Sequence, residues 1–234
     1  MHEVTKMCLE VVHSKWKILL NTPTKTGKLL IDILDETITA VVSTGHKLCP
    51  DHPSKVLRCL RLDPDLIKVI LIGQDPFPQP GVATGLAFAC EGTYQPSLNI
   101  LVRELRSEYD DEITVFDGNL KHWEEQGVLL LNSSLSCEQF KPGTHSKLWE
   151  EFIAGLLNVL NDFKITRESM NSLVFVFLGK QAQLFQSEIQ ESWHFKINRF
   201  HPAAETYGGN KFTGFYKEVN KCLIESGQTE INWL

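Results

Sequence analysis

A carboxylate, a carboxamide and an imidazole stand out in this chain because each follows directly on a short apolar run. Asp75 lies in GQDPFPQPG, Asn132 in NSS and His201 in HP, while a glycine loop, GKQ at Gly179 to Gln181, follows a fourth run. The Asn side chain offers an acceptor beside an NH2 donor, which complements a ring edge displaying N–H next to C=O. Uracil has such an edge; cytosine reverses it and would leave buried groups unpaired. His201 could donate to a further carbonyl oxygen and stabilise negative charge on a departing base. An ionised Asp75 could stabilise a cationic sugar and orient an attacking water. Phe77 and Phe88, close to the Asp, could guard and stack on a flat ring. Each residue alone has a plainer reading: Asp75 as a turn cap, Asn132 as a helix cap, His201 as a satisfied core histidine, the two rings as packing.

Positioning such residues together requires a shared edge. The apolar runs Lys68 to Ile72, Val128 to Leu131, Leu173 to Leu178 and Phe195 to Phe200 read as buried strands, and between them lie helical patterns at Ser97 to Ser107, Leu148 to Asn161 and Gln181 to Gln190. Strands alternating with helices predict an α/β fold with a central four-stranded parallel sheet flanked by helices, in three α/β/α layers. The ends of parallel strands share one edge, so Asp75, Asn132, Gly179 and His201 converge on one crevice. Pro76, Pro78 and Pro80, with Gly81 and Gly85, keep a helix from starting at once and hold the chain open around Asp75.

With 234 residues, 42% of them hydrophobic, and no linker-like gap, the chain predicts a single domain spanning residues 1–234. Its six cysteines lie far apart with no C-x-x-C pair, which gives neither zinc nor an iron–sulfur cluster its usual spacing and suits reduced thiols inside a cell. The start, MHEVTKMCLE, lacks an apolar leader core, and no later apolar run approaches ~18 residues, so a soluble intracellular protein without a membrane partner is expected. A net charge of −6 opposes any broad basic field for coating nucleic acid; a DNA contact would be local.

Taken together and in order, the strings resemble family 1 uracil-DNA glycosylases from about Ser14 to the C-terminus. GQDPFPQPG is similar to the family's GQDPYHGPG water-activating loop, and the resemblance makes Asp75 the catalytic carboxylate, with Gln74 and Phe77 beside the uracil. GLAFA carries the stacking Phe88, WEEQGVLLLNSSLS the uracil-reading Asn132, and QPSL the phosphate-contacting Ser97. LGKQAQ resembles the backbone-holding Gly-Ser loop, here Gly179 and Lys180. HPAAET resembles the HPSPLS loop that carries the catalytic His201 and, across Ala203, Ala204, Glu205 and Thr206, the contacts and wedge that enter the DNA stack. The implied activity is hydrolysis of uracil's N-glycosidic bond after the base is flipped from single- or double-stranded DNA, with no metal or cofactor. The absence of a Lys in the Asp75 loop argues against a Schiff-base lyase. The implied partners, besides uracil-containing DNA, are a replication polymerase or a proteinaceous inhibitor. The implied state is a monomer in the nucleus, the cytoplasm or a viral replication site.

This sequence departs from the family pattern at several positions. Phe77 replaces a Tyr, keeping a ring that should still exclude thymine; Pro78 replaces a His, Lys180 a Ser, and Ala203 and Ala204 a Ser and a Pro. Glu205 stands where the family has its Leu wedge, and a carboxylate is repelled by phosphates, so weaker duplex engagement is expected. HPAA together with DP-x-P is closer to the poxvirus branch. Two rivals follow. One is a replication accessory protein that keeps the fold, against which the intact Asp75, Asn132 and His201 argue. The other is an unrelated α/β nucleotide-binding protein, against which the absence of G-x-x-x-x-G-K-[ST] and G-x-G-x-x-G argues.

Overall fold

The four apolar runs pair into one parallel sheet. A computed structural model of the chain describes residues 1–110, 116–165, 172–190 and 193–234. Its strands are β1 (Val69–Gly73), β2 (Val128–Asn132), β3 (Val174–Leu178) and β4 (Phe195–Arg199), in the order β2-β1-β3-β4. Every residue of β1, β2 and β3 is buried, as in a sheet covered on both faces, whereas β4, at the edge, buries only Ile197. The helices that frame the sheet and the strand ends include α1 (Leu30–Ser43), α2 (Pro96–Tyr109), α3 (Ser146–Ile165), α4 (Lys180–Gln183), α5 (Pro202–Thr206) and α6 (Tyr216–Glu225). α1 packs on α3, and α6 packs on α2 and β3. The architecture is the α/β sheet flanked by helices that the alternation of strands and helices predicts.

The chain moves from β1 to β2 on one side and then returns past β1 to β3 on the other. β1 therefore ends at a switch in winding direction, the place where open α/β sheets form a crevice. One apolar cluster runs from Cys8 to Trp233. The C-terminal tail is tied into it: Trp233 lies edge-on to Trp123 with ring centroids 5.1 Å apart, and the Trp123 indole N–H donates to the Trp233 carbonyl at 3.0 Å.

The helix expected over Gln181 to Gln190 is not continuous. α4 stops at Gln183, Phe185 takes bridge-region angles (φ −89°, ψ 1°), and a 3-10 turn covers Gln186–Glu188. Ala182, Phe185 and Ile189 are still buried at the helical spacing that suggested the longer helix, but two tight turns satisfy it. Two further elements lie outside the predicted ones: α1, whose Leu30, Ile33, Leu34, Thr37, Ile38 and Val41 form a buried stripe of regular period, and the short ribbon of Leu48–Cys49 with Cys137–Glu138. Among the described residues no helix is long and apolar enough to cross a membrane, and no group of three His, Cys, Asp or Glu residues is placed to hold a metal ion.

Candidate active site

Parallel register brings the four strand ends together. Gly73 pairs directly with Asn132, and Leu178, one residue before Gly179, pairs with Arg199, two residues before His201. Beyond the last strand pair, the Ser133 N–H donates to the Gly73 carbonyl at 3.0 Å, and the Ser134 N–H and Ser133 hydroxyl both donate to the Gln74 carbonyl at 2.9 Å. These bonds extend the strand pairing into the turn and fix the backbone that carries Asp75.

Two glycines let the side chains approach. A Cβ on Gly73 would lie 2.7 Å from the Asn132 Oδ1 and 3.0 Å from the Phe88 ring, so the amide and the ring sit where any other side chain would be. Gly179 has φ +92°, and a Cβ there would lie 2.7 Å from the His201 Cβ. Phe88 itself has φ +66°, a conformation costly for a bulky residue, and its ring lines the site.

These groups line a cavity of about 420 Å³. Its walls include Gln74, Asp75, Phe77, Phe88, Ser97, Asn132, His201, Ala203 and Ala204. Gly179, Lys180, Glu205 and Thr206 are not on its wall: Gly179 backs His201, Lys180 is an exposed residue opening α4, and Glu205 is held by Arg103. Asn132 is buried, and among the described residues its carboxamide takes no hydrogen-bond partner, which leaves both amide groups to a ligand. Ser97 is buried in the first turn of α2, whose N-terminus has no side-chain cap and so presents free N–H groups to an anion.

The electrostatics separate the two titrating groups. Burial raises the Asp75 carboxyl above the ordinary carboxylate range, opposed by the Gly143 N–H, which donates to Oδ2, and by the Gln74 side chain. Burial lowers His201 to about 4. The His201 Nδ1 accepts the Ala203 N–H at 3.2 Å, so the neutral ring carries its proton on Nε2. The Phe88 ring stands 5.9 Å from the imidazole, tilted 39°. Among the described residues no Lys or Arg is on the cavity wall.

Two contributors escaped the sequence reading. The Gly143 N–H reaches Asp75 from the loop after β2, and nothing local in KPGTH ties it to a carboxylate so distant in sequence. Tyr207 is on the cavity wall; an aromatic just after HPAAET was its only signal.

Comparison with known proteins decides the family. No protein-family model matches the chain. A uracil-DNA glycosylase of Pseudomonas aeruginosa strain UCBPP-PA14 is 34% identical over 227 residues, covering 95% of this chain and 94% of that protein. The chain belongs to the uracil-DNA glycosylase family. Uracil-DNA glycosylase 1 of Listeria innocua is likewise 36% identical over 192 residues, covering 78% of this glycosylase and 82% of its relative. A solved mimivirus uracil-DNA glycosylase superposes with a TM-score of 0.80 at 21% identity over 98% of this chain and 88% of that one. A variant of the mimivirus protein in complex with UGI superposes at 0.81 with 20% identity, covering 98% and 90%. These two likenesses bear on the fold, which this glycosylase shares.

Proposed function

We propose that the cavity is the uracil pocket of a monofunctional DNA repair glycosylase and that Asp75 and His201 act on opposite charges of one transition state. Uracil flipped from DNA stacks on Phe88, and the Asn132 carboxamide pairs with its N3–H and O4 edge, rejecting cytosine. Phe77 stands by the ring as the guard against thymine. As the N-glycosidic bond breaks, its electron pair goes to the base, and the His201 Nε2–H donates to the anionic uracil O2. Asp75 stabilises the cationic sugar and orients the water whose oxygen bonds to C1′; the water's proton passes to the Asp75 carboxylate and on to solvent, the uracil anion takes up a proton from solvent, and an abasic site and free uracil remain. Ser97 and the α2 N-terminus receive a phosphate. The observation that carries this reading is the His201 tautomer: an imidazole held neutral by burial, its Nδ1 occupied by the Ala203 N–H, has only a donor to offer the pocket.

The test is base release on matched single- and double-stranded oligonucleotides carrying uracil, cytosine or thymine at one position. Uracil-only release that disappears in Asp75→Asn supports the assignment; release of thymine would remove Phe77 from its guarding role. The mimivirus complex with UGI supports a proteinaceous inhibitor as a second partner class, read as loss of excision when UGI is added. The six cysteines, none of them in a disulfide, support an intracellular site of action, and we further propose that the enzyme works as a monomer.

A further inference from the structure

Moving a base into the cavity leaves a gap in the stack it came from, and a side chain that fills the gap keeps the base from returning. The resemblance puts that side chain at Glu205, yet the Glu205 carboxylate is engaged within the protein. Arg103 Nη1 donates to its Oε1 and Nη2 to its Oε2, both at 2.9 Å, and the Phe212 N–H donates to Oε2 at 3.0 Å. Entering DNA would break all three bonds and bring a carboxylate, held down to about 2 by the guanidinium, against phosphates.

Two residues further on, Tyr207 is 81% exposed and still lines the cavity beside Ala203 and Ala204. Its phenol takes no partner among the described residues. The turn that presents it is fixed by backbone bonds: the Tyr207 and Gly209 N–H groups both donate to the Ala204 carbonyl, at 3.2 and 2.8 Å, and the Gly208 N–H donates to the Glu205 carbonyl at 3.1 Å. A Cβ on Gly209 would lie 2.8 Å from the Ala204 oxygen, so the return is tight. An aromatic face stacks on any base, whatever the sequence.

We propose that Tyr207 is the side chain that enters the DNA stack as uracil leaves it, and that Glu205, tied to Arg103, is a positioning residue for the turn that holds the ring. This deepens the uracil-pocket reading by naming how the vacated stack is filled. The experiment compares kcat/KM for the full chain on one uracil sequence as duplex and as single strand, with Tyr207→Ala, Tyr207→Phe and Glu205→Ala beside wild type and thermal melts of each. The single-strand arm reads the chemistry of the cavity and the duplex-to-single-strand ratio reads the wedge, so failures of the two readings are distinguishable. The expected result is that Tyr207→Ala lowers the ratio by roughly 5- to 150-fold, the range of a lost base stack, and that Tyr207→Phe restores it because the ring does the filling. Glu205→Ala is expected to lower the ratio less and to lower the melting temperature. A ratio unmoved by Tyr207→Ala, or one that collapses in Glu205→Ala while Tyr207→Ala behaves as wild type, overturns the proposal.

Discussion

Asp75 and His201 meet in one cavity, and burial shifts them in opposite directions, upward for the carboxyl and down to about 4 for the imidazole. Asp75→Asn and His201→Leu are each expected to lower the single-turnover rate at least ~100-fold, the scale of lost transition-state electrostatics; near-normal rates in both would remove them from the chemistry. The imidazole value has its own consequence. As pH falls from ~6.5, the unfolded chain takes up the histidine proton before the folded one does. The stability linked to His201 is therefore complete above ~6.5 and is lost between there and about 4. 15N NMR should find His201 still neutral, with its proton on Nε2, at a pH where an exposed histidine is charged; a ring protonated there would contradict the burial argument. Asn132→Asp removes the NH2 donor from the pocket, so weaker uracil binding or relaxed rejection of cytosine is expected in competition assays with the free bases.

The strands were legible because each is a short apolar run stopped by a turn residue, and the observed ends differ from expectation by a residue or so: β1 and β2 run on to include Gly73 and Asn132. Convergence of the site followed from parallel register alone. What the sequence hid was contact made by backbone, such as the Gly143 N–H on Asp75, and the length of α4, because a helical period fits two short turns as well as one helix. The tie between Glu205 and Arg103 was hidden for another reason, since the two are joined only when α5 packs on α2. The strand ends give a sharper test. Gly73→Ala is expected to reduce kcat/KM by on the order of 10²-fold by displacing Asn132 and Phe88, out of proportion to any fall in stability. Gly179→Ala should destabilise by about 1–3 kcal/mol in urea unfolding, because φ +92° with ψ 167° is a backbone conformation open essentially to glycine alone, and should also push His201 off its line. Wild-type kinetics in both variants would show that the strand ends do not set the geometry.

The molecule as a whole carries a charge of −6 and, among the described residues, the cavity it presents to DNA has no Lys or Arg on its wall. The proposed phosphate site at the α2 N-terminus and the proposed Tyr207 stack bring no formal positive charge to its grip on DNA. A plot of log kcat/KM against log salt is accordingly expected to have a slope no steeper than about −2, corresponding to about two phosphates; a slope several times steeper would reveal a basic surface elsewhere. The cation-poor wall also bears on how the enzyme travels. Sliding depends on a loose electrostatic hold that survives between sites, and the described wall of the cavity adds no cation to such a hold. Each encounter should therefore be brief and end in departure into solution, so that on a strand with two nearby uracils the products cut once accumulate before those cut twice.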